Sequence, residues 1–74
     1  MRLRLKVKEI AEARGYNQSS LARKADVDFK TVKRIFRDPY RDVVISTLFK
    51  ISRVLGVSLE DLVEEVPDPL SNAD

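Results

Sequence analysis

The chain contains no cysteine and no histidine among its 74 residues. Those absences exclude disulfides, thiol redox chemistry, Cys/His zinc sites and imidazole acid–base work, leaving carboxylates as the only metal ligands. No apolar run is long enough to cross a bilayer, and the opening MRLRLKVK lacks the continuous apolar stretch of a signal peptide. A cytoplasmic chain is therefore expected, with no membrane partner. Glycine-rich phosphate loops are missing too, since Gly15 and Gly56 are the only glycines. The expectation is no enzyme, no cofactor, no metal and no catalytic residue. At this length one domain buries a modest core, and dimerisation would add stability.

What is present begins with charge. The net value of +2 hides a division along the chain. Residues 1–53 hold all fourteen bases against six acids, which gives +8, whereas residues 54–74 hold six acids and no base, −6. Such asymmetry is expected where one face meets phosphates and the other end does not, although charge alone equally fits a solvated surface.

Apolar spacing predicts helices at about Lys6–Arg14, Gln18–Ala25, Phe29–Arg37 and Ile45–Leu55, each with inward residues three or four apart. Gly15 and Gly56 end the first and fourth, Asn17 and Asp28 cap the second and third, and Pro39 stops the third. A fifth helix is expected after Ser58, whose spacing to Asp61 suggests a capping box ahead of Leu59 and Leu62. Arg2–Lys6 alternates in polarity and could form a strand against Leu62–Val66; the competing reading has helix 1 beginning by Leu5. The domain is expected to occupy residues 1–66, with residues 67–74 as a flexible C-terminal tail.

Asn17–Phe36 reads as two amphipathic helices joined at Asp26-Val27-Asp28, with Leu21, Ala22 and Ala25 facing Val32 and Ile35. Gln18 opening a helix, Leu21-Ala22 within it, the turn at Asp26, then Val27, Val32 and Ile35 resemble the helix-turn-helix of the Cro/C1 (Xre-type) repressor family. The likeness runs from Val7 to about Leu62 and takes in Ile10, Gly15, Tyr16, Leu48, Ile51, Leu55 and Val57. It implies an all-α, five-helix, lambda-repressor-like DNA-binding domain. Asp26 stands where the family usually has glycine. Ala11 and Phe36 replace a buried Arg–Glu pair common in the family, and apolar replacement of such a pair is often neutral.

The resemblance also implies a docking geometry, with the helix from Phe29 lying in the major groove of double-stranded DNA. The base-contacting residues would be Phe29, Lys30 and Arg34, with Thr31 at the margin. Lys30 and Arg34 suit guanine O6 and N7, and Phe29 suits a thymine methyl unless its ring folds back over helix 2. Phosphate contacts would fall to Gln18, Asn17, Lys33, Arg37, Tyr40 and Arg41, although Asn17 is better placed to cap and Arg37 and Arg41 could pair with Asp38 and Asp42. Leu48, Phe49 and Ile51 read most simply as core, with Phe49 or Val43-Val44 left over for a partner. Glu60, Asp61, Glu64 and Glu65 could be imagined as a carboxylate centre, but nothing nearby offers a nucleophile or pocket. The expected function is a sequence-specific transcriptional regulator, a repressor, working as a homodimer on a palindromic operator. The alternative is a protein-interaction module, such as an antitoxin or assembly subunit, with its own protein partner.

Overall fold

The computed structural model describes residues 2–67. Of the expected C-terminal tail, all but Pro67 lies outside the described residues. In chain order the elements are strand β1 (Arg2–Leu5), helices α1 (Val7–Ala13), α2 (Gln18–Ala25), α3 (Phe29–Arg37) and α4 (Ile45–Leu55), a 3₁₀ turn (Glu60–Leu62) and strand β2 (Val63–Val66). One core joins them, and Val7, Leu21, Val32, Ile35, Ile51, Leu55 and Leu62 are its fully enclosed side chains.

Three helix ends are built alike. Gly15 (φ 84), Asp26 (φ 57) and Gly56 (φ 71) each adopt the left-handed conformation. Behind each, the next residue's N–H reaches back five residues: Tyr16 to Ala11 O at 2.9 Å, Val27 to Ala22 O at 3.0 Å and Val57 to Ser52 O at 3.1 Å. This satisfies carbonyls that a helix terminus leaves open. Asp26 fills the glycine position because aspartate is among the few non-glycine residues that enter this region as single residues. The helix starts are equally local. Asn17 Oδ1 accepts from Ser20 N–H at 2.8 Å while Ser20 Oγ accepts from Asn17 N–H at 2.9 Å. Asp28 Oδ1 accepts from Lys30 N–H at 3.0 Å.

The five-helix expectation is corrected to four α-helices and a two-stranded sheet. The box at Ser58 does form, with Ser58 N–H to Asp61 Oδ2 at 3.2 Å and Asp61 N–H to Ser58 Oγ at 3.3 Å. It nevertheless launches a single 3₁₀ turn, because Val63 turns extended (φ −132, ψ 151) and the chain pairs with β1. The strands are antiparallel, with Arg2 opposite Val66, Leu3 opposite Glu65, Arg4 opposite Glu64 and Leu5 opposite Val63. Lys6 N–H continues the ladder to Leu62 O at 2.7 Å. Of the two readings for Arg2–Lys6, the strand is the one observed. Phe49 is a second correction, since it is 48 % exposed rather than core. Along α4 the buried residues are Leu48, Ile51, Ser52 and Leu55, and position 49 falls outside that arc. Ser52 Oγ–H is satisfied by Phe49 O at 2.8 Å.

Arg4 fastens the sheet to α1, donating to Glu9 and lying 3.7 Å from Glu64 across the strands. Partial burial pushes the Glu9 carboxyl upward, but the Arg4 hydrogen bond and the charges of Arg4 and Lys8 outweigh it, holding the group below its ordinary value of 4.5. A carboxyl lowered by folding stabilises the fold above its unfolded pKa, and that contribution is lost as pH falls through the lowered folded value. In Arg4→Met, Glu9 should titrate higher than in the parent, because the hydrogen bond and charge that hold it down are removed while the partial burial remains. Carboxyl NMR titration measures this, and an unchanged midpoint would show that Arg4 does not set it. Asp26→Val should destabilise the fold by about 1–2 kcal/mol in urea unfolding, the cost of a left-handed backbone at a side chain that cannot relieve it locally.

Candidate nucleic-acid interface

Helix α3 has two faces of opposite character. Val32 and Ile35 are buried in the core, while Lys30, Lys33, Arg34 and Arg37 are all exposed. Spacings of three and four residues place those cations on one stripe. Among the described residues the ion pairs are Arg4–Glu9 and Arg4–Glu64, so none engages a cation of the stripe. An outside anion would therefore displace no partner that the described residues provide.

A hollow flanks α3 on each side. The larger, about 860 Å³, lies between α1, the start of α2 and α3, where Lys8, Gln18, Phe29, Lys33 and Arg37 meet. On the other side Thr31, Arg34, Arg41, Val44 and Thr47 line a second hollow of about 240 Å³. Cations therefore border α3 along both flanks, the arrangement needed by a helix whose sides run beside two phosphate strands.

The expected contact residues are divided by this geometry. Lys30, Lys33, Arg34, Arg37 and Arg41 are exposed, and Gln18 and Thr31 are half-buried, each lining one of the two hollows beside α3. Phe29 is 44 % exposed at the head of α3 and stands between two hollows, one shared with Ser19, Ala22 and Val27 and the other with Lys8 and Gln18. Asn17 is exposed, but its carboxamide oxygen is committed to the cap. Tyr40 has a guanidinium on its face, with Arg2 Cζ 3.8 Å from the ring centroid. Asp38 does not pair with Arg37 or Arg41. Instead its carboxylate accepts from Tyr40 N–H at 3.1 Å and its carbonyl from Arg41 N–H at 3.3 Å, which shapes the loop. Leu5 N–H to Pro39 O at 2.6 Å then pins that loop to β1.

Lys8 and Thr47, which border the hollows, were not anticipated. Their placement depends on how α1 and α4 flank α3, for which spacing within either helix gives no sign. Glu60, Asp61, Glu64 and Glu65 are dispersed over the 3₁₀ turn and β2, and no group of three or more potential metal ligands forms among the described residues. No helix among them is long and apolar enough to cross a membrane.

The helix-turn-helix family model matches residues 7–62, from the first residue of α1 to the end of the 3₁₀ turn. The chain belongs to the Cro/C1-type helix-turn-helix family. This is a family of DNA-binding regulators, and its matched segment contains α2, the Asp26 turn and α3. Comparison with curated proteins returns no match. Within the family's frame, Ala11 is fully buried and Phe36 is packed against the core, so apolar groups occupy both positions of the missing ion pair.

The cap at Asn17 yields a prediction independent of DNA. Asn17→Ala should lower stability by about 1 kcal/mol in urea unfolding, whereas Asn17→Asp, which keeps the acceptor, should cost much less. Equal losses would remove the cap as the explanation.

Proposed function

We propose that this protein is a sequence-specific, double-stranded DNA-binding transcriptional regulator, a repressor acting in the cytoplasm as a homodimer on a palindromic operator. The observation that carries the reading is the exposed cationic stripe of α3, which has no ion-pair partner among the described residues, on a helix anchored by its inner face. In this reading α3 enters the major groove, Lys30 and Arg34 donate to guanine O6 and N7, and Phe29 meets a thymine methyl. Thr31 lies at the margin of the base-reading surface.

Phosphates on one flank meet Gln18, Lys33 and Arg37, with the amide groups at the start of α2 favouring the same anion. Asn17 supports this flank chiefly as a cap. On the other flank Arg41 takes a phosphate, and Tyr40 contributes through the loop that it and Arg2 hold in place. Charged contacts of this kind release counterions, so affinity falls steeply with salt. Repression follows from occupancy, since a duplex filled by α3 in its major groove is closed to another protein there.

Selection from a random duplex pool at two salt concentrations tests the reading and should recover an inverted repeat. On that sequence Lys30→Ala and Arg34→Ala should each relax preference by about 1–3 kcal/mol at one base pair. Arg41→Ala should weaken cognate and random duplexes alike and reduce the salt slope by roughly one. Equal losses on both duplexes for all three variants would sink this division of labour, and a pool with no enriched sequence would sink the regulator itself.

A further inference from the structure

The loop of residues 38–44 carries Arg41 between two hollows. One, of about 240 Å³, lies toward α3 and is lined by Thr31, Arg34, Arg41 and Thr47, and the other, of about 320 Å³, lies toward the sheet and is lined by Leu3, Leu5, Tyr40 and Arg41. With open space on both sides, few contacts set where Arg41 stands. Val43 packs against the core at one end of the loop. At the other end both contacts come from β1: Leu5 N–H donates to Pro39 O at 2.6 Å, and Arg2 Cζ lies 3.8 Å from the centroid of the Tyr40 ring. The first fixes backbone, whereas the second holds the side chain of the residue directly before Arg41.

β1 is a firm base for this brace. Its four residues pair in register with β2, and Arg4 is fastened to Glu9 and Glu64. Both strands lie outside the segment that matches the family, residues 7–62. The brace is therefore something this chain adds to the matched helix-turn-helix.

We infer that Arg2 is a positioning residue for DNA: stacked on Tyr40, it holds the loop so that Arg41 meets a phosphate beside α3. The inference rests on the regulator reading and names a residue, remote from the recognition helix, on which one of its phosphate contacts depends. A guanidinium and an aromatic ring are both flat and attract through charge and quadrupole, so their contact fixes orientation as well as distance. A loop held in this way has lost its freedom before DNA arrives, and binding need not order it. Where the loop occupies its binding position only part of the time, apparent affinity falls by that fraction. Release of an exposed contact of this kind shifts such a population by roughly two- to fivefold, and DNA affinity follows by the same factor.

The test uses the full chain with Arg2→Met, Tyr40→Leu and Tyr40→Phe, each first shown by circular dichroism and urea unfolding to be folded under the assay conditions. In the free protein, amide-nitrogen NMR relaxation should find residues 40–42 as rigid as α3 in the parent and more mobile in Arg2→Met and Tyr40→Leu. Tyr40→Phe, which keeps the ring, should restore the parent's rigidity. A loop that is equally rigid in all of these chains would overturn the brace, whether or not the protein binds DNA. On duplexes, Arg2→Met and the charge-neutral Tyr40→Leu should each bind roughly two- to fivefold more weakly, on recovered and random sequences alike. Neither should weaken binding further in an Arg41→Ala background. Additive loss there would show that Arg2 meets DNA itself, and unchanged affinity with Arg41 present would show that the loop needs no brace; either result overturns the positioning role. If the parent enriches no sequence from the pool, the regulator reading fails, while random duplexes and the relaxation measurement still decide the role of Arg2. A parent that binds no duplex at all would overturn that role together with the reading.

Discussion

Everything in this molecule depends on how closely α2 and α3 are held together across their inner faces. Leu21, Ala22 and Ala25 on one helix and Val32 and Ile35 on the other are buried in one core, and the alanines present only a methyl group to the junction. Asp26 supplies the left-handed turn that lets the chain reverse within the two residues Val27 and Asp28 before α3 begins. This packing also permits the outer face to carry four cations, Lys30, Lys33, Arg34 and Arg37. Like-charged neighbours on a helix cost about 0.2–0.5 kcal/mol per pair, whereas burying one Val or Ile side chain contributes about 1.5–3 kcal/mol. The inner face wins that comparison, and the mutual repulsion of the outer stripe is left to be relieved by an external anion.

The small sheet does for the loop what the core does for the helix. Through Leu5 and Pro39, and through Arg2 stacked on Tyr40, β1 holds the turn that carries Arg41. Through Arg4 it is tied to both Glu9 and Glu64. The division of charge along the chain is thus bridged at β1, where a base of the first half meets an acid of the last strand. Arg4 is held between Glu9 and Glu64, while the cations of α3 and of its following loop face outward.

Much of this was legible in residue order, for a reason visible in the particulars. α2, α3 and α4 have the expected bounds, and α1 is one residue shorter at each end, because Asn17, Asp28, Asp26 and the two glycines act on backbone groups within a turn of themselves. The stripe at Lys30 and Arg34 was equally readable from spacing. The fate of Ser58–Val66 was not: its capping box is real, yet pairing with a strand some sixty residues earlier overrides the helix that the box announces. Phe49 was misassigned because helical spacing identifies a face without saying how wide the neighbouring elements make its buried arc. The Asn17 cap on Ser20 is local and was readable, whereas the stacking of Arg2 on Tyr40 joins distant segments and could not be read from either neighbourhood.

The order of residues by itself determined where helices start and stop, which sides of them turn inward, and that α3 would carry its charge outward, since each depends on interactions spanning one or two turns. Only the tertiary structure decided that the two ends of the domain meet as strands, that Phe29 stays exposed at the head of α3, and that Phe49 lies open at the surface. These outcomes require segments distant in the chain to come together, and they are fixed by the shared core rather than by any local signal.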